Sequence, residues 1–190
     1  METVSLMIVG VGGQGSLLAS KLLGRLLLDE GYDVKVSEVH GMSQRGGSVV
    51  TYVRFGEKVY SPIVTGGEAD FIISFEKLEA ARYLPCLKKG GRIIVNTQEI
   101  DPMPVLTGAA AYPGDILSEL EAAGVTVEAV DALSVAERAG SAKAVNIVLL
   151  ARLSKHLPIA REKWTAAIAA CVKPQFVALN EKAFALGLED

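Results

Sequence analysis

What this sequence is short of narrows its chemistry first. In 190 residues there are two cysteines, Cys86 and Cys171, far apart and in no C-x-x-C pattern. Reduced structural thiols fit them better than a disulfide framework. An iron–sulfur cluster takes more thiolates than two, so this chain alone should hold none. No histidine–carboxylate spacing suggests a metal site, and no Ser, His and Asp grouping suggests hydrolysis. Charge of one sign is also missing: the net charge is −3 and both signs are interspersed. Without a basic run or aromatic–basic cluster, nucleic acid is not an expected partner. No apolar run reaches the roughly 18 residues of a membrane span. The stretch 16–28 comes nearest, but Lys21 and Arg25 interrupt it, and Asp29 follows. The start, Met-Glu-Thr-Val-Ser, has no basic n-region, so the expectation is no signal peptide and a cytoplasmic location.

What is present is apolar content. Half the residues are hydrophobic and mean hydropathy is +0.33. The length suits one domain over residues 1–190. The apolar excess is what a surface covered by another subunit would require, and an isolated chain could dimerise through it.

Residues 6–15 run from an apolar strand into G-x-G-x-x-G, with Gly10, Gly12 and Gly15 at its spaced positions. Gly10 permits a tight turn, Gly12 a close phosphate approach and Gly15 close helix–strand packing. The helix that follows offers unpaired N–H groups and its dipole to an anion. The same motif also occurs as a plain tight turn between strand and helix; anion binding is the favoured reading.

The apolar periodicity predicts a strand over 5–9, a helix over 14–29 with Gly31 as its C′ residue, and a strand over Asp33–Val39. Together they form a right-handed unit with parallel strands. His40–Gly47 is a glycine-punctuated loop. Ser48–Phe55 reads as a strand, Gly56-Glu57 as a turn and Lys58–Ile63 as a returning strand, an inserted hairpin. Asp70–Ser74 and Arg92–Asn96 read as buried strands flanking a helix over Phe75–Lys88 that breaks near Pro85. The excursion 97–114, with Pro102, Pro104 and Pro113, holds one short strand at Ala109–Tyr112. A helix over Asp115–Ala123, a strand over Val125–Val130 and helices near 132–139, 143–156, 161–171 and 174–186 complete the chain. The fold class is α/β: a Rossmann-like three-layer sandwich, mostly parallel, with C-terminal helices.

The glycine loop and the His40–Gly47 loop both follow strand C-termini, the edge where open α/β sheets bind ligands. Arg45, with Gly46 and Gly47 after it, suits bidentate pairing with a phosphate or carboxylate; clamping a neighbouring subunit's carboxylate suits it equally. Ser43 and Gln44 add hydrogen-bonding groups. His40 is read as a loop donor, since no nucleophile or carboxylate is paired with it by motif. Glu76, Glu79 and Arg82, at i, i+3 and i+6, read as a surface ion-pair ladder, with an interface role left open. Asn146 reads as a buried hydrogen-bonding residue, and Gly24 as a point of close packing. NAD is poorly supported. Glu38 is near the position of a ribose-binding acid, but a loop follows directly and the hairpin takes the place of the next helix.

Gly-Val-Gly-Gly-Gln-Gly at 10–15, Ser-Glu-Val-His-Gly-Met-Ser-Gln-Arg-Gly-Gly-Ser-Val at 37–49, Val-Arg-Phe-Gly at 53–56, Ser-Pro at 61–62 and Phe-Glu-Lys-Leu-Glu-Ala-Ala-Arg at 75–82 resemble the gamma-type domain of 2-oxoacid:ferredoxin oxidoreductases. The likeness runs over nearly the whole chain and is strongest to the indolepyruvate branch. It implies that an aryl 2-oxoacid, coenzyme A and oxidised ferredoxin give an arylacyl-CoA, CO2 and reduced ferredoxin. It also implies a large alpha subunit that carries thiamine diphosphate and iron–sulfur clusters and meets ferredoxin. This chain lacks the Gly-Asp-Gly…Asn motif of thiamine enzymes, so it should hold no cofactor alone and be inactive when isolated. Coenzyme A is then the expected ligand of Gly10, Gly12, Gly13, Gln14, Gly15, Ser16, Ser43, Arg45 and Gly46. No side chain is assigned a catalytic role. The alternatives are a non-catalytic assembly subunit of a related pyruvate or other 2-oxoacid oxidoreductase, and a stand-alone nucleotide-binding oxidoreductase.

Overall fold

The structure, a computed structural model, describes residues 2–39 and 46–189. Its strands are β1 (Val4–Val11), β2 (Asp33–Val39), β3 (Ser48–Gly56), β4 (Ala69–Ser74), β5 (Leu87–Asn96) and β6 (Thr126–Val130). They form one sheet in the order β2-β3-β1-β4-β5-β6. The pairs β1/β4, β4/β5 and β5/β6 are parallel, and β3 runs antiparallel to both its neighbours, β1 and β2. All strands except β3 therefore point the same way, and the expected α/β class holds.

The layers follow from strand alternation. On β1, Leu6 and Ile8 face one core, with Leu22, Leu26, Ile147, Trp164 and Phe184. Met7 and Val9 face the other, with Ala80, Ile116 and Leu120. The first layer is built by α1 (Ser16–Asp29), α5 (Ala132–Ala139), α6 (Val145–Ser154), α7 (Arg161–Cys171) and α8 (Val177–Glu189). The second is built by α2 (Lys77–Tyr83) and α4 (Ile116–Ala122). A short α3 (Met103–Leu106) lies in the segment between β5 and α4.

Helix α1 stops where Gly31 takes a φ of 86°. The Gly31 N–H donates to the Leu28 carbonyl at 3.0 Å and the Tyr32 N–H to the Leu27 carbonyl at 3.1 Å. These are the paired bonds of a Schellman cap, as expected of a glycine at C′. Gly24 is buried against β2; an added Cβ would meet Val36 Cγ2 at 3.5 Å, ordinary contact.

Several elements differ from the sequence reading. The hairpin is made by β2 and β3, joined through residues 40–47, and not by a return at Gly56. β3 sits between β1 and β2, so those two are parallel but not adjacent. Lys58–Ile63 forms no strand. Pro62 offers no N–H to a ladder, and side chains hold the segment instead. Val59 N–H donates to Asp33 Oδ2 at 2.9 Å, and Arg54 Nη1 donates to the Ile63 carbonyl at 2.8 Å. The helix placed over Phe75–Lys88 is confined to α2. Pro85 lies in a 3₁₀ turn, Leu84–Cys86, and the chain is extended from Leu87. Ala109–Tyr112 is not a strand; the regular turn of that excursion is α3, starting after Pro102, where a missing proline N–H costs little.

Candidate functional site

The C-terminal ends of β1 and β2 and the start of β3 share one edge of the sheet, which brings two loops together. Gly12 N–H donates to the Gly47 carbonyl at 2.8 Å, and Gly46 N–H donates back to the Gly12 carbonyl at 3.3 Å. The expected juxtaposition of the glycine loop with residues 46–47 is therefore present. His40, Ser43, Gln44 and Arg45 lie outside the described residues.

The glycine loop is shaped by positions that exclude side chains. A Cβ on Gly10 would come within 2.9 Å of both Gln14 Oε1 and Phe75 Cβ. Gly13 and Gly15 have φ of 102° and 91°, and Gly15 stands at the N-cap of α1 without a side-chain cap. Gln14 locks the turn from beneath. Its Oε1 accepts from Val11 N–H at 2.7 Å, and its Nε2 donates to the Phe75 carbonyl at 3.1 Å and to Gln98 Oε1 at 3.4 Å. The side chain ties the ends of β1, β4 and β5 together. Asn146, buried at the start of α6, donates from Nδ2 to the Gly15 carbonyl at 3.3 Å and accepts from Ile147 N–H at 2.9 Å. It is the buried hydrogen-bonding residue anticipated from its setting.

This geometry narrows the donors available to a ligand. Gly12 N–H is engaged by Gly47, and Gln14 N–H by the Val11 carbonyl at 3.3 Å. Among the described residues the N–H groups of Gly13, Gly15 and Ser16 have no partner, which is how a helix start presents itself to an anion.

Gly13 borders two clefts. One, of about 330 Å³, runs between Gly12, Ser16, Leu17, Glu38, Val39 and the first half of β3. Here Glu38 accepts from Ser20 Oγ at 3.2 Å. The other, of about 240 Å³, lies on the opposite side of the loop against Gln14, Gln98, Leu133 and Lys143. Gln98 and Lys143 were not anticipated; both are distant in sequence, and neither carries a motif.

A third cleft, of about 190 Å³, opens between Gly46–Ser48, α2 and the segment 100–103. Glu76 and Glu79 line it, and the structure corrects their reading as a surface ladder: they are 1% and 4% exposed. Glu76 caps α2, its Oε2 accepting from Glu79 N–H at 2.9 Å. Its Oε1 accepts from Ile100 N–H at 3.2 Å and from the Tyr112 hydroxyl. Glu79 accepts from Arg82 Nε at 3.0 Å and from the Ser48 hydroxyl. Burial and the Glu76 carboxylate push the Tyr112 phenol well above its ordinary range. The network links residues 100–112 to the first residue of β3, next to the loop 40–47. One signal for it was available: a polar residue two positions after a buried strand, with Glu three positions later, is a helix-start pattern.

The described residues include no group of histidine, cysteine and carboxylate side chains able to hold a metal, and no helix long and apolar enough to cross a membrane.

Comparison with known proteins places this architecture. The indolepyruvate oxidoreductase subunit IorB of Thermococcus kodakarensis is 44% identical over 100% of this chain and 96% of its own length. The gamma subunit of keto/oxoacid ferredoxin oxidoreductase from Geobacter sulfurreducens superposes with a TM-score of 0.72 at 23% identity, covering 98% of this chain and 96% of that one. The 2-oxoglutarate:ferredoxin oxidoreductase of Magnetococcus marinus, solved with 2-oxoglutarate, coenzyme A and succinyl-CoA bound, superposes with a TM-score of 0.75 at 18% identity, covering 98% of this chain but 30% of that longer one. These two likenesses speak for the fold. Residues 5–189 match the family described as pyruvate ferredoxin/flavodoxin oxidoreductase, and the chain belongs to it.

Proposed function

We propose that this chain, one domain over residues 1–190, is the small subunit of an indolepyruvate:ferredoxin oxidoreductase. The observation that carries this reading is the 44% identity to a named indolepyruvate oxidoreductase subunit over the full chain. The complex would convert an aryl 2-oxoacid, coenzyme A and oxidised ferredoxin to arylacyl-CoA, CO2 and reduced ferredoxin in the cytoplasm. A large partner subunit would hold thiamine diphosphate and iron–sulfur clusters and pass electrons to ferredoxin, so this chain would meet ferredoxin only indirectly. Without that partner it would be inactive, pairing with a second copy.

Within the complex, this chain's part is to hold coenzyme A. The free N–H groups of Gly13, Gly15 and Ser16 would bind a phosphate at the start of α1, with Ser43 and Arg45 adding a hydroxyl and a charge from the adjacent loop. Gly10, Gly12, Gln14 and Gly46 would shape that site through the bonds described above. Binding the remote nucleotide would orient the thiol toward the partner's acyl intermediate. Coenzyme A is the phosphorylated substrate with no other assigned site, and it is bound in the Magnetococcus protein, 30% of whose chain shares this fold.

A second reading, a non-catalytic assembly subunit, draws on the internal engagement of Gly12 and Gln14 N–H, which leaves fewer donors than the motif suggested. Co-expression with the adjacent large subunit separates the two. The first reading expects indolepyruvate-dependent ferredoxin reduction that requires both chains, with Arg45→Ala weakening coenzyme A about tenfold. Full turnover by the large subunit alone, with unchanged coenzyme A dependence, would leave only the assembly role.

A further inference from the structure

The parallel strands begin at the sheet edge opposite the glycine loop, and a cleft of about 530 Å³ opens there. A bulge in β5 shapes it. Between the pairs Ala69/Leu87 and Phe71/Arg92, β5 carries three residues more than β4. The excess falls within Lys88–Gly91. Gly90 turns the chain with a φ of 80°, and a Cβ on Gly91 would come within 2.9 Å of the Ala69 carbonyl oxygen. A bulge re-aims the side chains around it. This one brings Lys88, Lys89 and Arg92 to a single cleft, beside Phe71 and His156.

Charged groups continue inward from the cleft, largely out of solvent. Arg92 pairs with Phe71 on β4 and with Thr126 on β6. Two places on, Ile94 pairs with Glu128, so Arg92 and Glu128 rise from the same face of the sheet. Both oxygens of Glu128 are taken: Oε1 accepts from Arg152 Nε at 2.5 Å, and Oε2 is bonded to His156 Nε2 at 2.7 Å. His156 stacks on Phe71, with ring centroids 6.0 Å apart. Asp70 is engaged as well. Its Oδ1 accepts from Lys88 Nζ and its Oδ2 from Ser5 N–H, both at 2.9 Å. Glu2 adds a weaker pull on Lys88. Arg92 and Lys89 have no ion pair among the described residues. Arg152 Nη1 is buried without a hydrogen-bond partner among them. In a chain of net charge −3, positive charge is thus in excess here, and Arg92, half-buried, is unmatched. An unmatched cation held partly out of water costs stability, and a carboxylate brought from outside relieves that cost.

We propose that this cleft docks an acidic segment of the large partner subunit, with one carboxylate paired to the Arg92 guanidinium and others beside Lys89. The proposal rests on the reading of this chain as the small subunit of a two-chain oxidoreductase. The size of the cleft speaks for a protein surface, since one small anion fills little of 530 Å³. The cations are also strung along Lys88–Arg92, which suits several carboxylates in a row. Contact at this edge leaves the glycine-loop edge of the sheet free.

Calorimetry of the small subunit binding the large one, at low and high salt, tests it. Arg92→Ala should weaken assembly about thirtyfold, the scale of a truncated, desolvated charge pair. Arg92→Lys, which keeps the charge but not the fork, should recover only part of that loss. Lys89→Glu should weaken assembly about tenfold. Lys182→Glu, at an exposed position on α8, should leave it unchanged. Salt should weaken the wild-type complex more than the Arg92→Ala complex. Hydrogen exchange at residues 88–93 should slow on assembly. The urea midpoint of the isolated chain should not fall in Arg92→Ala, since the variant removes an unmatched charge. Assembly unchanged by Arg92→Ala and Lys89→Glu, with indolepyruvate turnover intact, would overturn the docking site and leave the subunit assignment standing. Two other results would also overturn it: a loss confined to self-association of the isolated chain, or slowed exchange at 88–93 produced by inorganic phosphate with assembly unaffected. If assembly shifts as expected but the complex does not turn over indolepyruvate, the substrate assignment fails and the docking site stands.

Discussion

Two regions of the molecule hold carboxylates largely out of solvent, and they satisfy them by different means. At the C-terminal edge of the sheet, Glu76 is held by two backbone N–H groups and the Tyr112 hydroxyl. At β6, Glu128 is held by side chains: Arg152 Nε at 2.5 Å and His156 Nε2 at 2.7 Å. The first arrangement joins segments distant in sequence, because its donors belong to the start of α2 and to residues 100–112. The second joins β6 to α6 and to His156 just beyond it, 24 and 28 residues away. A carboxylate satisfied by backbone donors cannot be replaced without stranding them, whereas a side-chain ion pair can be removed as a unit.

The largest expected effect breaks the first region. Glu76→Ala leaves two N–H groups and a hydroxyl without their acceptor in a buried setting, and should destabilise the protein by about 3 kcal/mol. The urea midpoint measures it. No second substitution should recover the loss, since backbone N–H groups cannot be mutated away. The start of β3 should also loosen, read as faster hydrogen exchange at residues 46–50, because Ser48 is tied to the same network through Glu79.

The second region should respond less and be repairable. Glu128→Leu strands Arg152 and should cost about 2 kcal/mol, less than a fully buried pair, since both side chains retain some solvent. Arg152→Leu added to Glu128→Leu should recover most of that. A double variant no more stable than the single one would erase the contrast between the two regions. Acid titration gives a further check. Burial opposes ionisation of Glu128, but hydrogen bonds from His156 and Arg152 outweigh it, and the net shift is downward. A carboxylate depressed in the folded state contributes stability above its unfolded pKa, near the ordinary 4.5, and loses it as pH falls through the lower folded value. Glu128→Gln should flatten the stability curve below about pH 4.5.

The contrast also explains what the sequence could and could not tell. β2 falls at Asp33–Val39 as read, and α1 and its glycine cap follow from apolar periodicity and Gly31, because both signals are local. The insertion of β3 between β1 and β2 is not local. Ser48–Phe55 alternates equally well whether it pairs with a strand after Gly56 or with β1 and β2, and only the sheet as a whole decides. Glu76, Glu79 and Arg82 fit a helical ladder because spacing reports neighbours along a helix but not the side it buries. The partners that bury them, Ser48, Ile100 and Tyr112, are 24 to 36 residues from the carboxylates they meet. The glycine loop was legible as a turn; its internal claims on Gly12 and Gln14 N–H were not, since they depend on Gly47 and on the local path of the chain.

The smallest expected effect sharpens the first region from the hydroxyl side. Tyr112 keeps its proton to unusually high pH because burial and the adjacent Glu76 carboxylate both oppose a second negative charge. A phenol whose folded pKa lies above its unfolded value, about 10, contributes stability that is fully present below that value and is lost as pH rises toward the folded one. Wild-type protein should therefore lose stability above about pH 10 more steeply than Tyr112→Phe. At neutral pH Tyr112→Phe should cost only about 1 kcal/mol, since Glu76 keeps both of its backbone donors. Urea midpoints for the two proteins at neutral and alkaline pH measure both quantities. Parallel alkaline limbs would mean that Tyr112 does not report on the Glu76 charge, and that the backbone donors alone hold that end of the sheet.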